Sequence, residues 1–187
     1  KLGKIKLTIS SEPELKTWFV RDLSMFSDDF QLFASGFWKI VEDPKSYPLL
    51  YGERTEVGEI LKLTEINFRL ETDNIQALMD KVGYPGLFGQ AEGILSGQLA
   101  WAGNPLNFNL ENMYGGVYVD ILDGKFIPAE PGLGRLIGLF NLQSLSKRLK
   151  LDFGDVFSEG FSFDRVRGDI KLERGVAQTS NLRVLGT

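Results

Sequence analysis

The sequence predicts a mainly β protein: a twisted, largely antiparallel sheet interrupted by short helices at about 74–82 and 132–149. Three observations carry this. Apolar and polar residues alternate in run after run, the period-two signature of strands with one face away from water. Short breaks rich in Gly, Asp and Asn separate the runs. Helical three-and-four spacing occurs in only two places.

The elements follow in chain order. Leu2, Ile5, Leu7 and Ile9 open the chain in a strand-like pattern. Residues 11–30 and 42–56 show no clear period and are expected to be loops carrying short apolar pieces; Lys39–Ser46 also fits no pattern. Ile66, Phe68 and Leu70 then alternate with Glu65, Asn67, Arg69 and Glu71. A helix is predicted from Asn74, capped by Asp73, with Ile75, Leu78, Met79 and Val82 on one face and Gly83 ending it. Leu95, Leu99 and Trp101 share a strand face, as do Val117, Val119 and Ile121. Ala102-Gly103-Asn104-Pro105 and Tyr114-Gly115-Gly116 read as breaks, and Asp123-Gly124 as a type I′ hairpin turn. After Pro131, Leu133, Leu136, Ile137 and Phe140 keep helical spacing. Leu142, Leu145 and Leu149 fall on the opposite side, so the segment is expected to break near Asn141–Ser144. Phe161 and Phe163, then Ile170 and Leu172, mark further strands. Arg174-Gly175 turns the chain into a last strand over Val176–Leu185.

Composition narrows the chemistry. At 43% hydrophobic and 25% charged, the 187 residues fall in the globular class and are enough for a real core. The chain has no His and no Cys. That removes the usual general base, the usual metal ligands, thiol nucleophiles and disulfides together. A net charge of −4 offers no footprint for nucleic acid. No run of about 20 apolar residues exists to span a membrane as a helix. Both ends are strand-like, and the chain is expected to be a piece of a longer protein whose targeting signals lie outside it.

Several motifs mislead. Asp152-Phe153-Gly154 matches the kinase magnesium triplet, but the Gly-rich loop and the catalytic His-Arg-Asp are missing. Gly132, Gly134 and Gly138 have neither dinucleotide nor Walker spacing, and no buried parallel strand precedes them. Asp152, Asp155 and Asp164 form a carboxylate cluster near aromatics, yet spacing alone does not supply the geometry a glycosidase pair needs. No catalysis, cofactor or specific metal is expected. Lys147, Arg148 and Lys150 form one basic run. It suits either a helix C-terminus or an anionic membrane surface.

Nine residues, Ile66, Phe68, Leu70, Leu95, Leu99, Trp101, Val117, Val119 and Ile121, are expected to share one concave apolar face. Pattern alone leaves open what covers it. A β-sandwich would cover it with a second sheet; an open groove would cover it with ligand; a scaffold or adhesin built of β-repeats would need no ligand.

Residues 92–185 carry a resemblance. Gly93, Leu95, Gly97, Leu99, Trp101, Gly103 and Pro105 alternate through one strand; Gly116 and Asp123-Gly124 follow. The most specific block runs Pro131-Gly132-x-Gly134-Arg135-Leu136-x-Gly138-Leu139, Leu142-Gln143-x-Leu145, Arg148-Leu149-x-Leu151-Asp152-Phe153-x-Asp155-Val156-Phe157 and Gly160-Phe161-x-Phe163-Asp164. Gly168-Asp169, Gly175-Val176-Ala177 and Asn181-Leu182 close it. This resembles the C-terminal part of the YhdP branch of the AsmA-like bacterial envelope proteins, and Ile66–Pro85 resembles a recurring unit of that family. Ser146 stands where the family commonly has Pro.

The resemblance implies a setting. Such proteins are similar to TamB and to bridge-like lipid transfer proteins. Anchored in the inner membrane, they cross the periplasm, carry glycerophospholipid towards the outer membrane and maintain its barrier, using a sheet that curls into an open groove. By resemblance, residues 57–187 are the family's C-terminal-type region, with a helical insertion at 131–150, and residues 1–56 stay unassigned. The nine apolar residues would then meet phospholipid acyl chains. Leu142, Leu145 and Leu149, with Lys147, Arg148 and Lys150, would touch the outer membrane or an envelope partner protein; burial of both faces inside the domain is the rival account.

Overall fold

The computed structural model describes residues 2–51, 61–81, 86, 88–106, 112–127 and 161–186. They form one open antiparallel sheet of nine strands. The strands are β1 (Leu2–Glu12), β2 (Thr17–Ser27), β3 (Phe30–Val41), β4 (Leu61–Thr72), β5 (Glu92–Ala102), β6 (Met113–Phe126), β7 (Phe161–Glu173), β8 (Val176–Gln178) and β9 (Arg183–Leu185). The strands β1 to β8 lie side by side in sequence order, each paired with its sequence neighbour, and β9 also pairs with β7. The expected antiparallel meander is therefore present. No second sheet occurs among the described residues, which removes the sandwich for them.

Short, chemically specified turns join β1 to β2 and β7 to β8. A single 3-10 turn, Pro13–Leu15, links β1 to β2 and closes on Lys16 in the left-handed region at φ 47°. Arg174 and Gly175, at φ 49° and 75°, make the tight β7–β8 turn that their sequence predicts. A one-turn helix, α1 (Pro48–Tyr51), follows a 3-10 turn over Pro44–Ser46.

Helix α2 (Ile75–Lys81) lies in the β4–β5 connection, where the spacing predicted it. Its cap is Asn74 rather than Asp73: the Ala77 amide donates to Asn74 Oδ1 at 3.0 Å, and the Asn74 amide donates to Thr72 Oγ1. Gly83 and the expected helical segment at 132–149 lie outside the described residues.

Four further sequence expectations change. Residues 11–30 are not loop but the end of β1, all of β2 and the start of β3. The ladder explains why the period was hidden. Val20 pairs with Gly36 but Leu23 pairs with Ala34, so Arg21 and Asp22 form a bulge between them. Trp18 and Val20 alternate correctly, Leu23 and Met25 alternate correctly, and the bulge moves one set out of phase with the other.

Asp123-Gly124 is not a hairpin. Asp123 takes the positive φ (49°) that such a turn uses, but β6 continues through it, Gly124 pairing with Phe163 and Phe126 with Phe161. Tyr114-Gly115-Gly116 is not a break either; it lies inside β6. A Cβ on Gly115 would collide with the Gln98 carbonyl, so glycine is what lets β5 and β6 approach there. The last strand is split: β8 and β9 both pair with β7, separated by Thr179–Leu182.

Candidate functional site

In an antiparallel ladder, residues directly opposite one another project from the same side of the sheet. Following the register strand by strand assembles one face. Its central row is Leu7, Leu23, Ala34, Phe68, Gly97, Val117 and Ile170, crossing β1 to β7. One neighbouring row is Ile9, Val20, Gly36, Ile66, Leu99, Gly115 and Leu172; the other is Ile5, Met25, Leu32, Leu70, Leu95, Val119 and Gly168. No polar side chain interrupts any of the three.

Two further rows border this stripe. At one end lie Trp18, Trp38, Thr64, Trp101 and Met113; at the other, Phe30, Thr72, Gly93, Ile121 and Val166. The register thus places all nine predicted residues on one face, as their alternation requires.

Their environments differ. Helix α2 folds over the Ile121 end. Ile75, Ala91, Val119, Ile121, Phe163 and Val166 form a buried cluster, with Met79, Phe88, Val117 and Ile170 packed against it. Gly93 makes room for the helix: a Cβ there would lie 2.9 Å from Ile75 Cδ1. Trp101 is buried at the opposite end, its indole Nε1 donating to the Asn104 carbonyl at 3.0 Å. Ile66, Phe68, Leu70, Leu95, Leu99 and Val117 stay half-buried between these limits. On β1, Ile5, Leu7 and Ile9 are 52%, 53% and 58% exposed, so the stripe reaches the sheet edge uncovered among the described residues.

The scale follows from strand geometry. Six inter-strand gaps of ~4.8 Å make the stripe about 29 Å long, and two steps of ~6.8 Å between its three rows make it about 14 Å wide. The footprint is on the order of 400 Å²; its uncovered part runs from the β1 edge to Leu95 and Leu99 on β5 and is the candidate binding surface.

The opposite face is largely polar. Lys6 pairs with Asp22, Arg21 with Glu12, Arg69 with Glu71 and Lys171 with Glu173. Arg165 grips Asp120 with two hydrogen bonds of 2.7 and 2.6 Å, and this contact holds the Asp120 carboxyl below the ordinary aspartate range. Four phenylalanines of β2 and β3 also lie there. Phe19 meets Phe37 edge-on beneath the Arg21 guanidinium, and Phe26 meets Phe33 in the same way. Asp164 is exposed, while Asp152 and Asp155 lie outside the described residues. So do Leu142, Leu145, Leu149, Lys147, Arg148 and Lys150.

Sequence reasoning missed the half of the stripe built by β1 to β3, including Val20, Leu23, Met25, Leu32 and Ala34, and with it the bordering Trp18 and Trp38. A signal was present. Allowing one two-residue bulge at Arg21-Asp22 restores alternation from Trp18 to Met25.

A family model described as YhdP protein matches residues 1–187. The chain belongs to the YhdP protein family. The match includes residues 1–56, which the sequence patterns left unassigned, and the YhdP assignment therefore covers β1 to β3 as well as the rest of the sheet. The chain is also 26% identical over 124 residues to the intermembrane phospholipid transporter YhdP of Escherichia coli (strain K12). That alignment covers 66% of this chain and 10% of the relative, so it concerns a small part of a much longer protein. No solved structure gave a significant match. Among the described residues, no helix is long and apolar enough to cross a membrane.

Proposed function

We propose that this chain is a lipid-binding stretch of an inner-membrane-anchored periplasmic protein that carries glycerophospholipid towards the outer membrane. In this reading it acts without catalysis, and its transport maintains the outer-membrane barrier. The observation that carries the proposal is the uninterrupted three-row apolar stripe. Leaving it in water is unfavourable at ~25 cal/mol per Å² of apolar surface. A scaffold or adhesin has no use for such a surface, whereas an acyl chain removes it from water. Membership of the YhdP family and the similarity to a protein named as a phospholipid transporter support the same reading.

Ile66, Phe68, Leu70, Leu95, Leu99 and Val117 form the acyl-chain contact, extended by Leu23 and Ala34 towards the β1 edge. Val119 and Ile121, held beneath α2, brace it from one end, and Trp101 does so from the other. Because the stripe runs across the strands, a lipid moves along it perpendicular to them, passing from strand to strand.

The test is native mass spectrometry of the mildly purified chain, with extracted lipids identified by fragmentation. Co-purifying phospholipid that is lost in Phe68→Asp supports the proposal. A lipid-free wild-type chain that also fails to take up phospholipid from vesicles rejects it.

A further inference from the structure

All three tryptophans of the chain stand in a single cross-strand row, Trp18 opposite Trp38, then Thr64, then Trp101. This row borders the apolar stripe on the side away from α2. Trp101 is buried and its indole N–H is engaged. Trp18 is 40% exposed, and its ring lies 4.6 Å from that of Trp38. Among the described residues the buried Trp38 indole Nε1 has no hydrogen-bond acceptor, which is rare for a buried donor. One step further out in the same register stands Lys62, opposite Ile40; its ammonium lies 5.6 Å from the centre of the Trp38 ring. Lys62 makes no ion pair among the described residues.

From the stripe outwards, the order is therefore aliphatic, then indole with an unsatisfied donor, then cation. A glycerophospholipid has the complementary order: acyl chain, ester, phosphate. Indoles favour that boundary because one side of the ring is apolar while the N–H needs an acceptor. On the opposite side of the stripe, α2 lies over Val119 and Ile121 and closes that side with a buried apolar cluster.

We infer that the Trp18–Trp38–Lys62 corner is the site for the polar end of the lipid, an ester or phosphate oxygen accepting from Trp38 Nε1 and the phosphate pairing with Lys62. This rests on the lipid-binding reading above and adds an orientation to it: headgroups on the tryptophan side, acyl chains across the central rows, α2 as the wall behind them.

Two measurements on the 187-residue chain test it. The first is uptake of phosphatidylglycerol and of diacylglycerol, which lacks the phosphate, by wild type, Lys62→Ala and Trp38→Phe. Removing one lysine near an anionic group should weaken phosphatidylglycerol binding by about fivefold. Trp38→Phe keeps the ring, removes the N–H, and should also weaken it, while diacylglycerol uptake stays unchanged in both variants. The second uses tryptophan fluorescence, excited selectively, which reports on this row alone because all three tryptophans stand in it. Phospholipid brominated close to the glycerol should quench more strongly than phospholipid brominated near the terminal methyl.

Equal phosphatidylglycerol binding by all three proteins, or stronger quenching from the methyl end, overturns the headgroup assignment while leaving acyl binding intact. Binding of inorganic phosphate alone with the same dependence on Lys62 also overturns it, since the site would then be an anion site independent of lipid. No uptake of either lipid by wild type removes the underlying reading, and this inference with it.

Discussion

Val119 and Leu99 share one face of the sheet, two rows apart, and a carboxylate placed at each should have very different effects. Val119 is buried in an apolar cluster with Ile75, Ala91, Ile121, Phe163 and Val166. Val119→Asp gives up ~2 kcal/mol of side-chain burial and leaves an unpaired carboxylate inside at a further ~3–5 kcal/mol. A loss of roughly 5–7 kcal/mol is comparable with the whole stability of many domains, about 5–15 kcal/mol. At ~2–4 °C per kcal/mol for a chain of this size, the melting temperature should fall by roughly 10–28 °C. Leu99 is half-buried between Ile66 and Gly115, on the part of the face that α2 does not reach. Leu99→Asp should give up ~1 kcal/mol of burial and up to ~1 kcal/mol of strand preference, because its carboxylate reaches water. That corresponds to about 2–8 °C, with co-purifying lipid lost. Differential scanning calorimetry and native mass spectrometry on both variants decide the matter. If Leu99→Asp unfolds the chain as thoroughly as Val119→Asp, the face is covered and the open-stripe reasoning is wrong.

Three further outcomes are expected. Asp120 is held below the ordinary aspartate range by Arg165, so the contact adds stability above about pH 4 and loses it as pH falls through the lowered folded-state value. Melting curves of Asp120→Asn should therefore lie below wild type at neutral pH and converge with it in acid; a difference that persists in acid would dissociate the effect from ionisation. Asn74→Ala removes the α2 cap and should lower stability by ~1 kcal/mol, or about 2–4 °C, measured by thermal denaturation, whereas Asp73→Ala should change little. Gly97→Ala drives a Cβ into the Gly116 carbonyl across the β5–β6 ladder and should destabilise by ~1–3 kcal/mol; amide exchange should quicken first in β5 and β6.

Much of the sheet was legible because alternation is a local property. Ile66-x-Phe68-x-Leu70 or Val117-x-Val119-x-Ile121 fixes which residues share a face without knowledge of any partner. The nine predicted site residues needed only that. What stayed hidden depended on neighbours. The Arg21-Asp22 bulge is visible only against β3, so the sequence around it reads as patternless. Asp123-Gly124 is a hairpin signal only when the runs on either side pair with each other; here Lys125 and Phe126 pair with β7 instead, and the residue's left-handed preference is spent on a kink. The tryptophan row was illegible for the same reason, since Trp18, Trp38 and Trp101 are separated by 20 and 63 positions and meet only through the register.

The order of strands in the sheet is their order in the chain, and this bears on how the molecule assembles. Every ladder from β1 to β8 joins sequence neighbours, so each new strand needs only the one before it as a template. Contacts of short range close quickly, because loop-closure entropy grows with the logarithm of the loop length. The β6–β7 pairing is the exception, with residues 127–160 lying between its two strands. Assembly should thus run as a zipper from β1 to β6, halt, and resume once β7 docks. Away from α2, whose Ile75 ties the β4–β5 connection to β6 and β7, stability should also be nearly additive along the sheet, as in solenoids. Damage to a hairpin outside that cluster, such as β1–β2, would then fray the sheet locally rather than melt it as a whole.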